Sequence, residues 1–135
     1  SDLFESAISQ LNISRPLMIG DRLDTDIRGG VAFGIDTACV LTGIASRKDL
    51  IGARAEDRPT YILEDLRQLF EPYPQVKATK RGVKLGKTEV ELIGNKVFVT
   101  VGDPKSLEAL RAACSLIWNC GTPIYGLDVE AALYE

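Results

Sequence analysis

The sequence predicts an α/β fold, and three observations carry that expectation. Short apolar runs at Leu17–Ile19 and Thr37–Leu41 flank a helix-period segment, Thr25–Phe33, the alternation that builds parallel sheets. The first run ends in Gly20 and delivers an acidic turn containing Asp21, Asp24 and Asp26. Beyond Pro72 and Pro74 the pattern changes to strand-like alternation followed by one long helical segment, which points to a smaller α+β unit. Residues 1–71 are therefore assigned to a first unit and 72–135 to a second, with Pro72-Tyr73-Pro74 as the stiff connection between them.

Taken in order, Leu3, Phe4, Ala7, Ile8 and Leu11 recur at helical spacing between Asp2, a candidate N-cap, and Asn12. After the Leu17–Ile19 strand, Asp24 or Thr25 is placed to cap the next helix, which presents Ile27, Val31 and Ala32 and closes at Gly34. Thr37–Leu41 is a continuous, largely apolar run with β-branched residues, the mark of a strand covered on both faces. Ser46 then caps a short helix reaching about Ala53, Thr60–Leu63 forms a brief strand, and Glu64–Phe70 a helix with Leu66, Leu69 and Phe70 inward.

In the second unit Gly82–Leu85, Thr88–Ile93 and Lys96–Val101 read as an antiparallel meander, the latter two joined by Gly94-Asn95, residues that tolerate positive φ in a two-residue hairpin turn. Ser106 to about Asn119 is the long amphipathic helix, with Asp103 expected to cap it. Ile124–Leu127 is expected as a last strand, with Asp128 capping a terminal turn. Trp118 and Tyr125 are assigned to the core.

Composition narrows the function. The chain has 135 residues, 45% hydrophobic and 26% charged, with net charge −3, which fits a soluble globular protein and argues against a nucleic-acid partner. The basic cluster Lys77, Lys80, Arg81, Lys84 and Lys87 has no interleaved aromatics and reads as a solvated face. Cys39, Cys114 and Cys120 lack metal-ligand spacing, and there is no histidine, so reduced thiols in a cytoplasmic protein are expected. No apolar stretch is long enough to span a membrane.

A carboxylate just past a strand end sits where open α/β sheets meet ligands. Asp21 occupies that place, whereas aspartates in generic acidic turns are usually turn and cap residues. A calcium loop starting at Asp24 is excluded, because its fifth and twelfth positions hold Arg28 and Ile35 instead of oxygen ligands.

The run Gly20-Asp21-Arg22-Leu23-Asp24-Thr25-Asp26-Ile27, with Gly30, Gly34 and Val40-Leu41-Thr42-Gly43, resembles the fourth motif of haloacid dehalogenase-type phosphatases. Within that superfamily it is similar to the branch holding the p-nitrophenyl phosphate, phosphoglycolate and glycerol-3-phosphate phosphatases. The resemblance extends from Ser1 to about Phe70 and implies a partial Rossmann-like core. It implies Mg²⁺ as cofactor, Asp21 as a direct metal ligand and Asp26 as a residue orienting a metal-bound water or a neighbouring lysine. Asp24 is divided between such an outer role and a helix cap.

The same resemblance implies a phosphomonoester hydrolase acting on small phosphorylated metabolites through an aspartyl-phosphate intermediate. The motifs that carry the nucleophilic aspartate, its acid/base partner and the lysine have no match here, so the chain is expected to be the C-terminal part of such an enzyme, inactive alone. Its expected partners are the missing N-terminal segment of the same protein and a small phosphorylated metabolite; a homo-oligomer is left open, and the exposed edge beside Leu17–Ile19 is expected to pair with another segment. The other reading is a binding or interaction module without catalysis. The second unit is similar in element order to the acetyltransferase-like domain of actinobacterial glycerol-3-phosphate phosphatases. Its Val101–Ser106 turn, with Asp103 and Pro104 where phosphate-facing N–H groups are needed, argues against coenzyme A binding.

Overall fold

The computed structural model describes residues 16–135. The helix expected over Leu3–Leu11 lies outside them. Strand β1 (Leu17–Gly20) enters a π-type turn, Leu23–Ile27, that continues directly into helix α1 (Arg28–Phe33). Gly34 ends α1 at φ 81° and ψ 24°, the left-handed conformation its missing Cβ permits. Strand β2 (Asp36–Val40) follows, then helix α2 (Arg47–Ile51) and strand β3 (Tyr61–Leu63). The three strands form a parallel sheet in the order β1-β2-β3, with Gly20 beside Cys39 and Cys39 beside Ile62.

Alternation along β2 divides its side chains between two faces. Cys39 joins Ile27, Leu50 and Ile62 in the main core, whereas Ala38 and Val40 pack with Leu63, Leu17, Tyr61 and Tyr73 on the other side. Pro72-Tyr73-Pro74 is therefore anchored: Tyr73 meets Tyr61 edge-on at 4.9 Å, and its hydroxyl accepts from the Ile62 N–H at 3.0 Å.

A second sheet runs β4 (Lys77–Ala78), β5 (Gly82–Leu85), β6 (Thr88–Ile93), β7 (Lys96–Val101), β8 (Asp128–Val129) in that order. The expected meander is present, and Gly94 turns the β6–β7 hairpin at φ 62°. Helix α3 (Leu107–Asn119) lays Ala109, Leu110, Ala113 and Ile117 into the core, where they join Leu85, Val90 and Val97 of the sheet. Those residues belong to one buried cluster with Ile27, Cys39, Leu50 and Ile62 of the first sheet.

Several local expectations are corrected. Leu66–Phe70 is a 3₁₀ turn capped by Asp65, and Leu66 and Phe70 are 56% and 91% exposed, because a turn this short cannot aim three apolar side chains at one surface. Ile124–Gly126 is also a 3₁₀ turn, which leaves Tyr125 on the surface at 90% exposure. The last strand is β8, parallel to β7, so Asp128 is a strand residue and not a cap. Ser106 caps α3 by accepting from Ala109 N–H, while Asp103 accepts from Lys105 N–H in the preceding turn. In the acidic turn neither Asp24 nor Thr25 caps α1; the π-type turn supplies continuous backbone up to Ile27, leaving no free helix start to cap.

The two sheets meet through arginines that donate to backbone carbonyls. Arg47 reaches Leu133 O at 2.8 Å, Pro104 O at 2.7 Å, Ser106 O at 3.1 Å and Lys105 O at 3.2 Å. Arg111 of α3 donates to Ile62 O at 2.8 Å while lying over the Tyr73 ring at 4.5 Å. Trp118 Nε1 donates to Leu50 O at 3.1 Å, and Arg58 sits 5.9 Å from the Trp118 ring. With both Ile62 backbone groups engaged by Arg111 and Tyr73, the outer edge of β3 is covered.

Leu50, fully buried where the two halves share their core, should lose about 2–5 kcal/mol of stability on replacement by alanine. In urea titrations of both variants, Phe70→Ser should stay within about 0.5 kcal/mol of the parent, since its side chain is on the surface.

Candidate active site

The site is built at the C-terminal mouth of the parallel sheet, where β1 ends at Gly20 and the chain turns through Asp21. The three turn aspartates have different surroundings. Asp24 is engaged: Arg22 Nε and Nη2 donate to its two oxygens at 3.1 Å each, in an exposed pair. That guanidinium holds the Asp24 carboxyl below the usual aspartate range. Among the described residues no hydrogen bond or ion pair engages the carboxylates of Asp21 and Asp26.

Both free carboxylates lie against bare backbone. A Cβ on Gly20 would collide with the Asp26 side chain, and a Cβ on Gly43 would collide with that of Asp21. Glycine at these two places is what lets each aspartate settle on the chain. The main chain adds a tie, since Ala45 N–H donates to Asp21 O at 2.8 Å. Ala45 leads into Ser46, whose hydroxyl accepts from Asp49 N–H at 3.1 Å while Asp49 Oδ2 accepts from Ser46 N–H at 3.0 Å. This reciprocal cap fixes the entry to α2.

Neighbouring groups report the same concentration of negative charge. Cys39, level with Gly20 in the sheet, has its thiol pushed up to about 11, first by burial and then by the charges of Asp21, Asp26 and Asp49. On the flank, Arg28 holds Asp57 through two bonds of 2.6 and 2.7 Å, which lowers the Asp57 carboxyl and fastens the start of α1 to the Ala55–Asp57 turn.

A groove of about 510 Å³ opens beside the turn, lined by Arg22, Leu23, Asp24, Ile44, Lys48 and Asp57 among others. Neither Asp21 nor Asp26 lines it, so this groove is adjacent to the free carboxylates without containing them. Among the described residues no three Asp, Glu, His or Cys side chains gather into a metal-binding group. Sequence reasoning singled out the aspartates and Gly43 but passed over Ala45 and Arg47. One signal was available: a cation at the first position of a helix opposes the helix dipole, so Arg47 needed a partner elsewhere.

A parallel sheet whose first strand delivers an acidic turn, with free carboxylates at its carboxyl end, presents charge where open α/β sheets meet their ligands. The chain belongs to the HAD-hydrolase-like family, whose model matches residues 1–69. It is 33% identical over 125 residues to D-glycerol 3-phosphate phosphatase of Mycobacterium tuberculosis, an alignment covering 87% of this chain and 34% of that protein. A glycerol-3-phosphate phosphatase of Gallus gallus is 37% identical over 59 residues, covering 42% of this chain and 19% of its own length. Among solved structures, that of a glycerol phosphate phosphatase from M. tuberculosis in complex with magnesium superposes with a TM-score of 0.68 at 32% identity, covering 95% of this chain and 37% of that one. The chain thus spans about a third of the length of the M. tuberculosis relative. No helix among the described residues is long and apolar enough to cross a membrane.

The two glycines make a direct test of the packing. Gly43→Ala should cost about 1–3 kcal/mol by forcing the Asp21 side chain aside. Gly29→Ala, a helical position with nothing within 4 Å of the added carbon, should instead add up to about 1 kcal/mol in the same denaturation assay.

Proposed function

We propose that this chain is the C-terminal portion of a Mg²⁺-dependent phosphomonoester hydrolase acting on small phosphorylated metabolites of the glycerol-3-phosphate or phosphoglycolate type. In this reading Asp21 is a direct ligand of the metal, and the nucleophilic aspartate that carries the aspartyl-phosphate intermediate comes from outside the chain. The observation that supports it best is the division among the turn aspartates: Asp24 is held by Arg22, whereas Asp21 stands free at the strand end.

The residues present fit such a cation. Mg²⁺ takes hard oxygen ligands, keeps several waters and needs only one or two carboxylates from the protein. Gly43 leaves room for the Asp21 carboxylate to rest at the sheet's mouth, and the free Asp26 carboxylate has capacity to accept from a metal-bound water or a lysine. When bound, the cation neutralises charge that builds up on the phosphoryl oxygens.

The chain's own residues hold the site in shape. Ala45 N–H fixes the main chain at Asp21, and Arg22 turns Asp24 away from competition for the cation. The second unit has a structural role in this reading. Its Gly102-Asp103-Pro104 turn places a carboxylate that already accepts from Lys105 N–H where a coenzyme A pyrophosphate would need N–H donors.

In the complete protein, Asp21→Asn should reduce Mg²⁺-dependent hydrolysis of p-nitrophenyl phosphate by about 100-fold or more, since a direct ligand should matter at least as much as the outer partners of metal ligands. Circular dichroism of the variant should match the parent. Normal turnover would remove Asp21 from the metal site.

A further inference from the structure

We propose that Arg47, from its seat in the second unit, positions the segment that carries Asp21, making it a positioning residue for the metal site that does not touch metal or substrate. The inference rests on the reading of Asp21 as a metal ligand. Three links connect the two, and each is a contact between named groups. The Asp21 side chain rests on Gly43, where a Cβ has no room. Two residues later, Ala45 N–H donates to Asp21 O at 2.8 Å, and Ala45 is itself only 7% exposed. Two residues further, Arg47 is bound at four points to carbonyls of the second unit, at Pro104, Lys105, Ser106 and Leu133.

The chemistry of Arg47 makes this seat hard to replace. A guanidinium cannot shed its proton to relieve burial, so it must keep donors satisfied, and here Nε, Nη1 and Nη2 all have carbonyl partners. Its partners come from two separate stretches, the turn before α3 and the C-terminal 3₁₀ turn Ala131–Tyr134. The fork therefore fixes direction as well as distance. The reciprocal Ser46–Asp49 cap then passes that fixed position to Ala45 without an intervening loose joint.

Arg111 supplies the control. It too donates from one unit to a carbonyl of the other, Ile62 O at 2.8 Å, but none of its partners lies in the Gly43–Arg47 segment. A general loosening of the junction should follow from either arginine, whereas an effect on Asp21 should follow only from Arg47.

The test uses the complete protein with Arg47→Lys and Arg111→Lys, reading the Mg²⁺ concentration for half-maximal p-nitrophenyl phosphate hydrolysis and amide hydrogen exchange without metal. Arg47→Lys should raise the half-saturating Mg²⁺ concentration about three- to tenfold, below the range for groups that touch a metal ligand's side chain, with KM for the phosphoester unchanged. The Ala45 amide should exchange faster in that variant than in Arg111→Lys, and Arg111→Lys should leave the half-saturating Mg²⁺ concentration at the parent value. In the parent protein the Ala45 amide should exchange together with those of Leu110 and Leu133, a measurement that needs no variant to fold. Equal shifts in both variants, an unmoved Ala45 amide in Arg47→Lys, or exchange of Ala45 with α1 instead of α3 would each overturn the proposal. If Asp21→Asn keeps the parent's Mg²⁺ response, the metal reading fails separately, and the Ala45 exchange still decides whether Arg47 holds the segment.

Discussion

The structure depends on guanidinium groups donating to main-chain carbonyls across the junction of the two sheets. Carbonyls at turns and sheet edges have no ladder partner, and burying them unpaired costs about 1–3 kcal/mol each. Arg47 and Arg111 satisfy such carbonyls from the opposite unit, and Trp118 Nε1 does the same for Leu50 O at the end of α2. Burial works against the charge, lowering the Arg47 pKa from its ordinary value. A guanidinium tolerates this because its pKa starts far above any working pH and each of its three nitrogens has a carbonyl partner. Removing Arg47 would take a donor from carbonyls of the second unit, and removing Arg111 would take one from Ile62 O in the first, beside a shared apolar core.

That junction gives the second unit a use that needs no ligand of its own. The sheet β4–β8 and α3 present a rigid set of carbonyls, and the first unit's α2 is seated on them through its first residue. Since the segment before α2 also ties down Asp21, the shape of the acidic turn depends on residues more than 80 positions away in sequence, as the Arg47–Leu133 contact shows. In the proposed reading of Asp21 as a metal ligand, small displacements of its carboxylate would matter, because phosphoryl transfer is catalysed mainly by placing charge correctly. In that reading, a unit that buttresses the turn would contribute to the chemistry without entering it.

Much of this was legible in the sequence where a local signal and the tertiary structure agree. The parallel pair Leu17–Ile19 and Thr37–Leu41, the αL glycine at Gly34, the Ser46 cap and the Gly94-Asn95 hairpin each follow from short-range chemistry. Misreadings fall where short-range chemistry is ambiguous. Leu66, Leu69 and Phe70 have helical spacing, yet the element is too short to present one face, and Tyr125 looks like core but sits on a 3₁₀ turn. Asp103 and Ser106 are both sound caps three residues apart, and only the backbone path decides between them. For the site, the aspartates were visible from their pattern; the place of Arg47 at a helix start signals only that it needs a partner, and its partners are carbonyls that carry no residue-specific signature.

The central claim is that the two sheets, joined by these arginines over one core, behave as a single cooperative body that includes the Asp21 turn. Scanning calorimetry of the 135-residue chain tests it most directly. One transition is predicted, with the calorimetric enthalpy equal to the van't Hoff enthalpy and near 0.7 kcal/mol per residue, a rough average for globular proteins. Two resolved transitions, or a van't Hoff enthalpy well below the calorimetric one, would show that the sheets unfold separately and would contradict the account.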